Sequence, residues 1–407
     1  MIYGLLGRRL GHSHSPAIHR MLGNPSYELF EREEDELAAL FAREDIGGLN
    51  ITIPYKKTVL PYLTEMTDKA RRIGCVNTVV FHADGSRTGD NTDYDGFAGT
   101  LDGLDYPVDG KRALLLGTGA TSQTVRTVLV DRGAKEVRRL GREELPPDAD
   151  ARHFDLLINC TPVGMYPNNG ESLVDLSGFT RLSAVIDLIY NPHRSHLLLQ
   201  AKKRGIPYAD GLPMLVRQAM AASEQFIGKS CAKEEDILRR LRRQTDSIVL
   251  IGMPGCGKTT VGKTLAESLP KTFVDIDEEI EKTAGKTIPQ IFQEEGEAGF
   301  RGREKTAIQA AGKEPNRILA TGGGAVKDPA NYDALAQNGR IYYLQRELEA
   351  LPVQGRPLSA GGLATLQTLF QERDPLYRAF ADKCIPPGTI EEQAAWIKED
   401  FYANCHY

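Results

Sequence analysis

The stretch Gly252-Met253-Pro254-Gly255-Cys256-Gly257-Lys258-Thr259-Thr260 constrains this chain more than any other. It follows the apolar run Ser247-Ile248-Val249-Leu250-Ile251 and leads into Val261–Leu269, which reads as an amphipathic helix. A buried strand, a glycine-rich turn and such a helix are what a phosphate-binding loop requires. Glycines such as Gly255 and Gly257 let the backbone curl, so that several N–H groups converge on one phosphate chain at a helix N-terminus. Lys258 can then reach the β- and γ-phosphates, and the Thr259 hydroxyl, with Thr260 beside it, can take a place on Mg²⁺. The bland alternative is a glycine turn that only joins a strand to a helix. The full eight-residue pattern in its strand–helix setting favours phosphate. The loop lies past the middle of the chain, so it opens a second unit.

With 407 residues there is room for two or three domains with sizeable cores. The hydrophobic fraction of 41% and charged fraction of 26% are those of an ordinary globular protein. A net charge of −5 argues against nucleic acid as a partner and admits anionic small substrates only where arginines gather locally. The six cysteines (75, 160, 231, 256, 384, 405) include no Cys-x-x-Cys pair, which suits a reducing cytosol better than disulfides or a zinc site. Arg8 and Arg9 directly follow the first apolar residues, unlike a signal peptide, and no apolar run approaches membrane-spanning length. The expectation is a cytoplasmic protein, monomeric or homodimeric, with no membrane partner.

The first ~95 residues read as a mixed α/β unit. Met1–Gly7, Leu49–Ile53 and Cys75–Phe81 are strand candidates, Pro16 opens a helix, and Asp84-Gly85 marks a hairpin. Lys111–Leu116 starts a βαβ series that continues through Val137–Leu140, Phe154–Asn159 and Ala184–Leu188. The first of these strands ends in Gly117-Thr118-Gly119-Ala120-Thr121-Ser122, a Gly-x-Gly turn with Ser122 in place of a third glycine. Its place between strand and helix makes it a pyrophosphate site. Where an acidic residue would grip an NAD ribose, the chain offers Arg138-Arg139-Leu140-Gly141-Arg142, which suits the 2′-phosphate of NADP. The short segment between Arg142 and Phe154, interrupted by Pro146-Pro147, leaves no room for a full crossover helix and implies a trimmed sheet. Leu212–Ile227 and Glu234–Arg243 read as helices, and Thr245-Asp246 is all that separates them from the strand before the phosphate loop.

Five stretches occur in order through this half: Ser13-His14-Ser15-Pro16, Asn50-Ile51-Thr52-Ile53-Pro54-Tyr55-Lys56, Val76-Asn77-Thr78, Gly89-Asp90-Asn91-Thr92-Asp93 and Asp210–Gln218. Together they resemble the shikimate dehydrogenase family across essentially residues 1–243. The resemblance implies NADPH-dependent reduction of the ketone of 3-dehydroshikimate to the alcohol of shikimate. It implies that Ser13 and Ser15 hold the carboxylate, that Lys56 and Asp93 are the catalytic pair, and that Thr52, Asn77, Tyr190 and Gln218 hydrogen-bond ring hydroxyls. Gly117, Gly119, Ala120, Thr121 and Arg142 fall on the cofactor phosphates and adenosine side, and Thr161 and Gly211 on the nicotinamide side. Hydride delivery to a carbonyl leaves an alkoxide, so a proton donor such as Lys56 must lie beside it. His12 and His14 read as loop residues and His193 and His196 as surface residues at a helix start. Gly141 stands where an Asn or Ser often precedes the cofactor arginine.

After the phosphate loop, Phe273-Val274-Asp275-Ile276-Asp277 reads as a strand ending in two carboxylates on one side, a pair suited to Mg²⁺ and a substrate hydroxyl. Phe300-Arg301, Thr321-Gly322-Gly323-Gly324, Gly355-Arg356-Pro357-Leu358 and Arg373-Asp374-Pro375 follow. This set resembles shikimate kinase over residues 247–402. The resemblance implies ATP-dependent phosphorylation of the 3-hydroxyl of shikimate. Lys258 and Thr259 would serve the phosphates and Mg²⁺, Asp275 the metal, and Asp277 the acceptor hydroxyl. Arg301 and Arg373 would grip the carboxylate, Gly323 and Gly324 would line the substrate, and Arg356 would close over the phosphates. Gln345–Gly355 is shorter than the family's lid and lacks an arginine upstream of Arg356 unless Arg346 substitutes, which implies weaker ATP binding or faster product release.

The chain thus reads as α/β throughout. A shikimate dehydrogenase-like substrate domain (1–98 and 218–243) and a Rossmann-type NADP domain (99–217) precede a P-loop, nucleoside monophosphate kinase-like domain (247–407). The two readings support each other, since the product of the first half is the substrate of the second. The competing readings are a regulatory or binding protein that keeps these folds without full catalysis, and a dehydrogenase half acting on quinate with NAD.

Overall fold

In the computed structural model, residues 1–11, 13–141, 152–228, 231–351 and 362–404 are described. The chain forms two compact units. One comprises Met1–Val163, Ser172–Tyr190 and Gln200–Leu238, the other Gly164–Glu171, Asn191–Leu199 and Arg239–Tyr407.

The first unit contains two sheets. The first is mixed and six-stranded: β1 (Ile2–Gly7), β2 (Tyr27–Glu31), β3 (Ile46–Ile51), β4 (Glu65–Met66), β5 (Thr78–Phe81) and β6 (Arg87–Asp90), in the order β2-β1-β3-β5-β6-β4. β5 and β6 form the hairpin that Asp84-Gly85 announces, with Gly85 at φ 84°. β3 stops at Ile51, so Thr52 and Ile53 lie beyond its end rather than within it, and Ile53 precedes a cis proline. The second sheet is wholly parallel: β7 (Arg112–Leu116), β8 (Glu136–Leu140), β9 (Leu156–Asn159), β10 (Ala184–Asp187) and β11 (Tyr208–Ala209), in the order β11-β10-β9-β7-β8. All four residues of β9 and of β10 are buried, as strands covered on both faces must be. The segment expected to trim this sheet falls largely on residues 142–151, outside the described residues.

Helix Leu212–Ile227 begins with a proline in its first turn and ends at Gly228 in the left-handed region. It packs on helix Asp93–Gly103 so closely that a Cβ on Gly96 would come within 2.7 Å of the Met214 carbonyl oxygen.

The second unit carries the parallel sheet β12 (Ser247–Ile251), β13 (Thr272–Asp275), β14 (Arg317–Ala320), β15 (Gly339–Leu344) and β16 (Lys383–Ile385), ordered β13-β14-β12-β15-β16. β12 is buried along its whole length. Helix Glu234–Thr245 runs two residues past the expected end, which leaves Asp246 alone before β12. The buried Lys271 ammonium fixes this join, donating to the carbonyls of Arg243 (2.8 Å) and Asp246 (2.6 Å) and to Asn316 Oδ1 (3.0 Å). Among the described residues no helix is long and apolar enough to cross a membrane.

In the first unit His19 is fully buried and stacks on Tyr27, ring centroids 3.9 Å apart. Burial lowers its pKa from 6.5 to about 3, so the folded protein holds it neutral while an unfolded chain protonates it. Stability from this group is therefore intact above pH 6.5 and lost as pH falls toward 3, at up to about 1.4 kcal/mol per pH unit. His19→Phe should flatten the acid side of the thermal-midpoint-versus-pH curve of the full chain; an unchanged curve would show that the imidazole titrates freely in the fold.

Candidate active sites

In the first unit the C-terminal ends of strands deliver the key side chains. The turn after β3 carries Lys56, and the loop after β6 leads into the helix that Asp93 begins. Lys56 Nζ and Asp93 Oδ2 are 2.5 Å apart, with side chains only 12% and 11% exposed. The other carboxylate oxygen, Oδ1, accepts from Asn77 Nδ2 at 2.9 Å, and Asn77 Oδ1 accepts from the Thr92 backbone N–H at 2.7 Å. Asn77 thereby fixes the carboxylate that holds the lysine. An ammonium so placed can donate a proton to an oxygen on its open side.

The Ser13-His14-Ser15 turn meets the strand-end segment after β10: the His14 and Tyr190 rings have centroids 5.7 Å apart. Ser15 is buried, and its backbone N–H donates to Ser13 Oγ at 3.2 Å. The helix cap itself is His14, which makes no side-chain capping bond. His12 lies outside the described residues. Thr52 is half-buried in the segment leading to Lys56, and Lys57 is exposed. Gln218 lies on helix Leu212–Ile227, its Nε2 donating to the Leu215 carbonyl at 2.8 Å.

The dinucleotide turn follows β7, between β8 and β9, where the sheet order changes direction. Gly117 has φ 109° and Gly119 caps helix Ala120–Asp131. A Cβ on Gly119 would meet nothing within 4 Å, so the space before the helix N-terminus is open, as a pyrophosphate requires. Ser122 does not merely replace a glycine: its hydroxyl donates to the Gly117 carbonyl at 2.7 Å and closes the turn. Arg139, at the end of β8, reaches back to the Thr118 carbonyl at 3.3 Å and to Gln123. Thr161 follows β9, its hydroxyl donating to Asn159 Oδ1 at 2.7 Å. Gly211 passes so near the Leu188 carbonyl that a Cβ would overlap its oxygen, so no other residue fits there. Arg142 lies outside the described residues.

In the second unit the glycine loop follows β12, flanked by β14 and β15. Gly255 and Gly257 have φ 84° and 104°, and Gly257 caps helix Lys258–Ser268. Lys258 is buried and braces the loop through the Gly252 and Met253 carbonyls at 2.9 and 3.0 Å. Thr259 Oγ1 donates to Asp275 Oδ2 at 2.7 Å, a hydroxyl and a carboxylate set together as hard oxygen ligands for Mg²⁺ would be. Thr260 is exposed on the same first turn.

The paired acids are arranged differently from the sequence expectation. β13 ends at Asp275, which caps the following helix by accepting the Asp277 N–H at 3.0 Å; Asp277 therefore lies in the first helical turn, not on the strand. Burial, then the Asp275 charge, push the Asp277 carboxyl up to about 6, against the opposing pull of Lys258 and Arg301.

Sequence reasoning missed Glu304. Its side chain is 1% exposed and pairs with Arg301 at 2.5 Å. The signal was present as an i,i+3 Arg–Glu pair on one long helix, which is ordinarily a surface pattern. The glycine triplet packs on this group. A Cβ on Gly322 would stand 2.6 Å from Glu304 Oε1 and 2.9 Å from Asp277 Oδ1, and one on Gly324 would strike the Arg301 guanidinium. Gly323 presents its carbonyl to Arg373 at 3.1 Å and to Tyr377 at 2.5 Å. Arg373 is 2% exposed and its Nε has no partner, an inward-facing donor ready for an anion. Arg356 lies outside the described residues, as do residues 352–355 of the shortened segment before it. Arg346 is described, exposed, with NH1 3.7 Å from where a Cβ on Gly257 would be.

His193 also departs from expectation. It is buried, with Nε2 2.7 Å from Thr245 Oγ1 and 2.9 Å from Asp246 Oδ1. Among the described residues no group of histidine, cysteine and acidic side chains could hold a metal ion by itself.

Comparison with known proteins separates the two halves in the same way. The shikimate dehydrogenase substrate binding domain matches residues 5–79, and shikimate kinase matches residues 254–399. The NADP(+) shikimate dehydrogenase of Clostridium beijerinckii is 34% identical over 261 residues, spanning 59% of this chain and 96% of that protein. The crystal structure of a chorismate mutase/shikimate 5-dehydrogenase fusion protein from Clostridium acetobutylicum is similar at 36% identity, TM-score 0.55, covering 59% of this chain and 96% of that one. Shikimate 5-dehydrogenase from Thermus thermophilus, in complex with NADP(H) and shikimate, is similar at 30% identity, TM-score 0.53, covering 58% and 97%.

The Asp277 environment gives a direct test. In the ligand-free protein its carboxyl should titrate at about 6 instead of 3.8, read by carbon-detected NMR, and Asp277→Asn should remove that transition. A midpoint at the ordinary value would mean that the carboxyl is open to water.

Proposed function

Since the chain belongs to the shikimate dehydrogenase family and carries a shikimate kinase domain at its C-terminal end, we propose that it is a bifunctional enzyme. It reduces 3-dehydroshikimate to shikimate with NADPH, then phosphorylates the 3-hydroxyl of shikimate with ATP and Mg²⁺. The observation that carries this reading is the presence of both side-chain constellations. Lys56–Asp93–Asn77 stands in one unit and Lys258–Thr259–Asp275 with Asp277, Arg301 and Arg373 in the other. The division into a substrate domain, a cofactor domain and a kinase domain belongs to the same proposal.

NADPH supplies the hydride when bound. Lys56 donates the proton that the carbonyl oxygen needs as the alcohol forms, and Asp93 holds the ammonium there while accepting from the adjacent hydroxyl. Ser13 and Ser15 bind the carboxylate; Thr52, Asn77, Tyr190 and Gln218 orient the ring. Gly117, Gly119, Ala120 and Thr121 approach the pyrophosphate, Arg142 the 2′-phosphate, and Thr161 and Gly211 the nicotinamide.

In the second unit ATP would supply the phosphoryl group and Mg²⁺ would neutralise its charge. Thr259 and Asp275 would hold the metal. Gly255, Gly257, Lys258 and Thr260 would cradle the phosphates, with Arg356 beside them. Asp277, whose raised proton affinity suits a base near neutral pH, accepts the proton of the 3-hydroxyl. Arg301 and Arg373 grip the carboxylate beside Gly323 and Gly324, and Glu304 sets the angle of Arg301.

Purified protein given 3-dehydroshikimate, NADPH and ATP–Mg²⁺ should consume NADPH and release shikimate 3-phosphate. Lys56→Ala should slow the reduction by about 10²–10⁴-fold while sparing phosphorylation of added shikimate, and Lys258→Ala should do the reverse. Loss of both activities in a folded Lys56→Ala protein would defeat the two-site reading. Glu304→Gln should raise the kinase KM for shikimate by about 10-fold or more, the worth of a charged hydrogen bond, with a smaller change in KM for ATP.

A further inference from the structure

Arg373 is a buried cation without a carboxylate of its own. The Glu304 carboxylate pairs with Arg301, and among the described residues Arg373 makes no ion pair. Its NH1 donates to the Gly323 carbonyl at 3.1 Å, while its Nε has no acceptor. The guanidinium therefore takes its position from one carbonyl oxygen, and whatever holds that oxygen decides where the arginine points. Among the described residues no backbone N–H does so. The turn here closes from the Ala325 N–H to the Gly322 carbonyl and from the Lys327 N–H to the Gly324 carbonyl, and passes Gly323 by. The Tyr377 hydroxyl holds it instead, donating to the Gly323 carbonyl at 2.5 Å. Tyr377 is fully buried and stands one turn beyond Arg373 on helix Gly362–Phe380, so the two side chains share a face. Its ring stacks on that of Tyr343 in β15, centroids 4.9 Å apart and planes 26° apart. The Tyr343 hydroxyl donates to Asp374 Oδ1 at 2.9 Å and Arg378 Nε to Asp374 Oδ2 at 2.7 Å, which ties this turn of the helix to the sheet. Burial holds the Tyr377 phenol well above its ordinary value of 10, so it remains protonated and a donor. All of these residues belong to the second unit.

We propose that Tyr377 is a positioning residue for the kinase reaction: its hydroxyl fixes the Gly323 carbonyl, and that carbonyl aims the Arg373 guanidinium at the carboxylate of the acid. The inference rests on the proposed function, in which Arg373 grips that carboxylate. Without the hydroxyl, the carbonyl keeps Arg373 as its one donor, and the two are free to shift together. The guanidinium then spends itself on the carbonyl and meets the acid off its line. Tyr377 acts on shikimate only through Arg373, so its loss falls on the KM for shikimate. The nucleotide is held elsewhere, by Lys258 and Thr259 on the phosphate loop and its helix.

The test follows phosphorylation of added shikimate by the full chain carrying Tyr377→Phe, Arg373→Lys or both, with thermal midpoints recorded alongside kinetics. Phosphorylation is read rather than shikimate binding because the first unit is proposed to bind shikimate as well. Tyr377→Phe keeps the ring and its stack on Tyr343. It should raise KM for shikimate about fivefold or more with KM for ATP within about twofold, the size expected for one lost hydrogen bond. Arg373→Lys, which keeps the charge but not the fork, should raise the same KM. In the double variant the rise should be less than the product of the two, since Tyr377 then has no guanidinium to aim. Tyr377→Met takes the place of Tyr377→Phe should the latter fail to fold, because it removes the hydroxyl and refills the space with an adaptable apolar chain. A lowered thermal midpoint with an unchanged shikimate KM, equal rises in both KM values, or effects that simply multiply would overturn the proposal and leave Tyr377 as a packing residue of its helix. A wild-type chain that phosphorylates no shikimate would remove the proposed function and the role of Tyr377 together. Wild-type turnover beside an unaffected Tyr377→Phe protein would remove only the latter.

Discussion

Each site is organised around a carboxylate withdrawn from water and paired with a cation. Asp93 is clamped by Lys56 on one oxygen and Asn77 on the other, and Asn77 is in turn fixed by the Thr92 backbone. Burying a charge is costly unless it is paired and hydrogen-bonded, so this small network has one low-energy arrangement. The proton donor stands at its open end. Remove the amide and the carboxylate can rotate; remove the carboxylate and the ammonium has no reason to stay in a pocket with so little water.

Glu304 plays the equivalent part in the second unit, with a different balance. It lies almost wholly buried beneath the glycine triplet, paired with Arg301. Three acidic groups, Asp275, Asp277 and Glu304, are brought near three cationic ones, Lys258, Arg301 and Arg373. The near-neutral sum lets the site accept an anionic acid while burial raises the proton affinity of Asp277 and Glu304. A side chain at Gly322 would fall on carboxylate oxygens, one at Gly323 on the Pro254 ring and one at Gly324 on the Arg301 guanidinium, so the glycines are there for closeness of approach rather than for unusual dihedrals.

Much of this was legible in the sequence because strand ends announce themselves. The glycine loop after Ile251, the turn after Leu116, the hairpin at Asp84-Gly85 and helix 212–227 all stand where local pattern puts them. Local pattern failed where a polar group's meaning depends on a distant partner. Asp277 looked like a strand residue because alternation continued through Ile276, but Asp275 caps a helix there and ends the strand two residues early. His193 reads as a surface residue and Glu304 passes unnoticed, since their spacing is that of turns and exposed helix faces. Nothing local reveals that Arg301 will be drawn inward over Glu304, or that the end of helix Glu234–Thr245 will cover His193 from 52 residues away. Ser122 illustrates the opposite case: an apparent defect in a glycine motif proves to be a hydroxyl that ties the turn shut.

The second unit is assembled from three separate lengths of chain, and this bears on how the molecule is made. A chain emerging from the ribosome presents residues 164–171 and 191–199 long before helix Ala330–Ala336 exists to receive them. The hydrogen bonds from Arg194 to the Ala336 and Gly339 carbonyls span 142 and 145 residues, which makes them long loop closures. The first unit can gather its own core during synthesis, but these two lengths of the second unit wait with buried-type residues, His193 and Leu199 among them, until helix Glu234–Thr245 and strands β12 and β15 arrive. The nascent protein therefore carries an unfinished surface through most of its translation, and completion of the C-terminal sheet is the event that closes it.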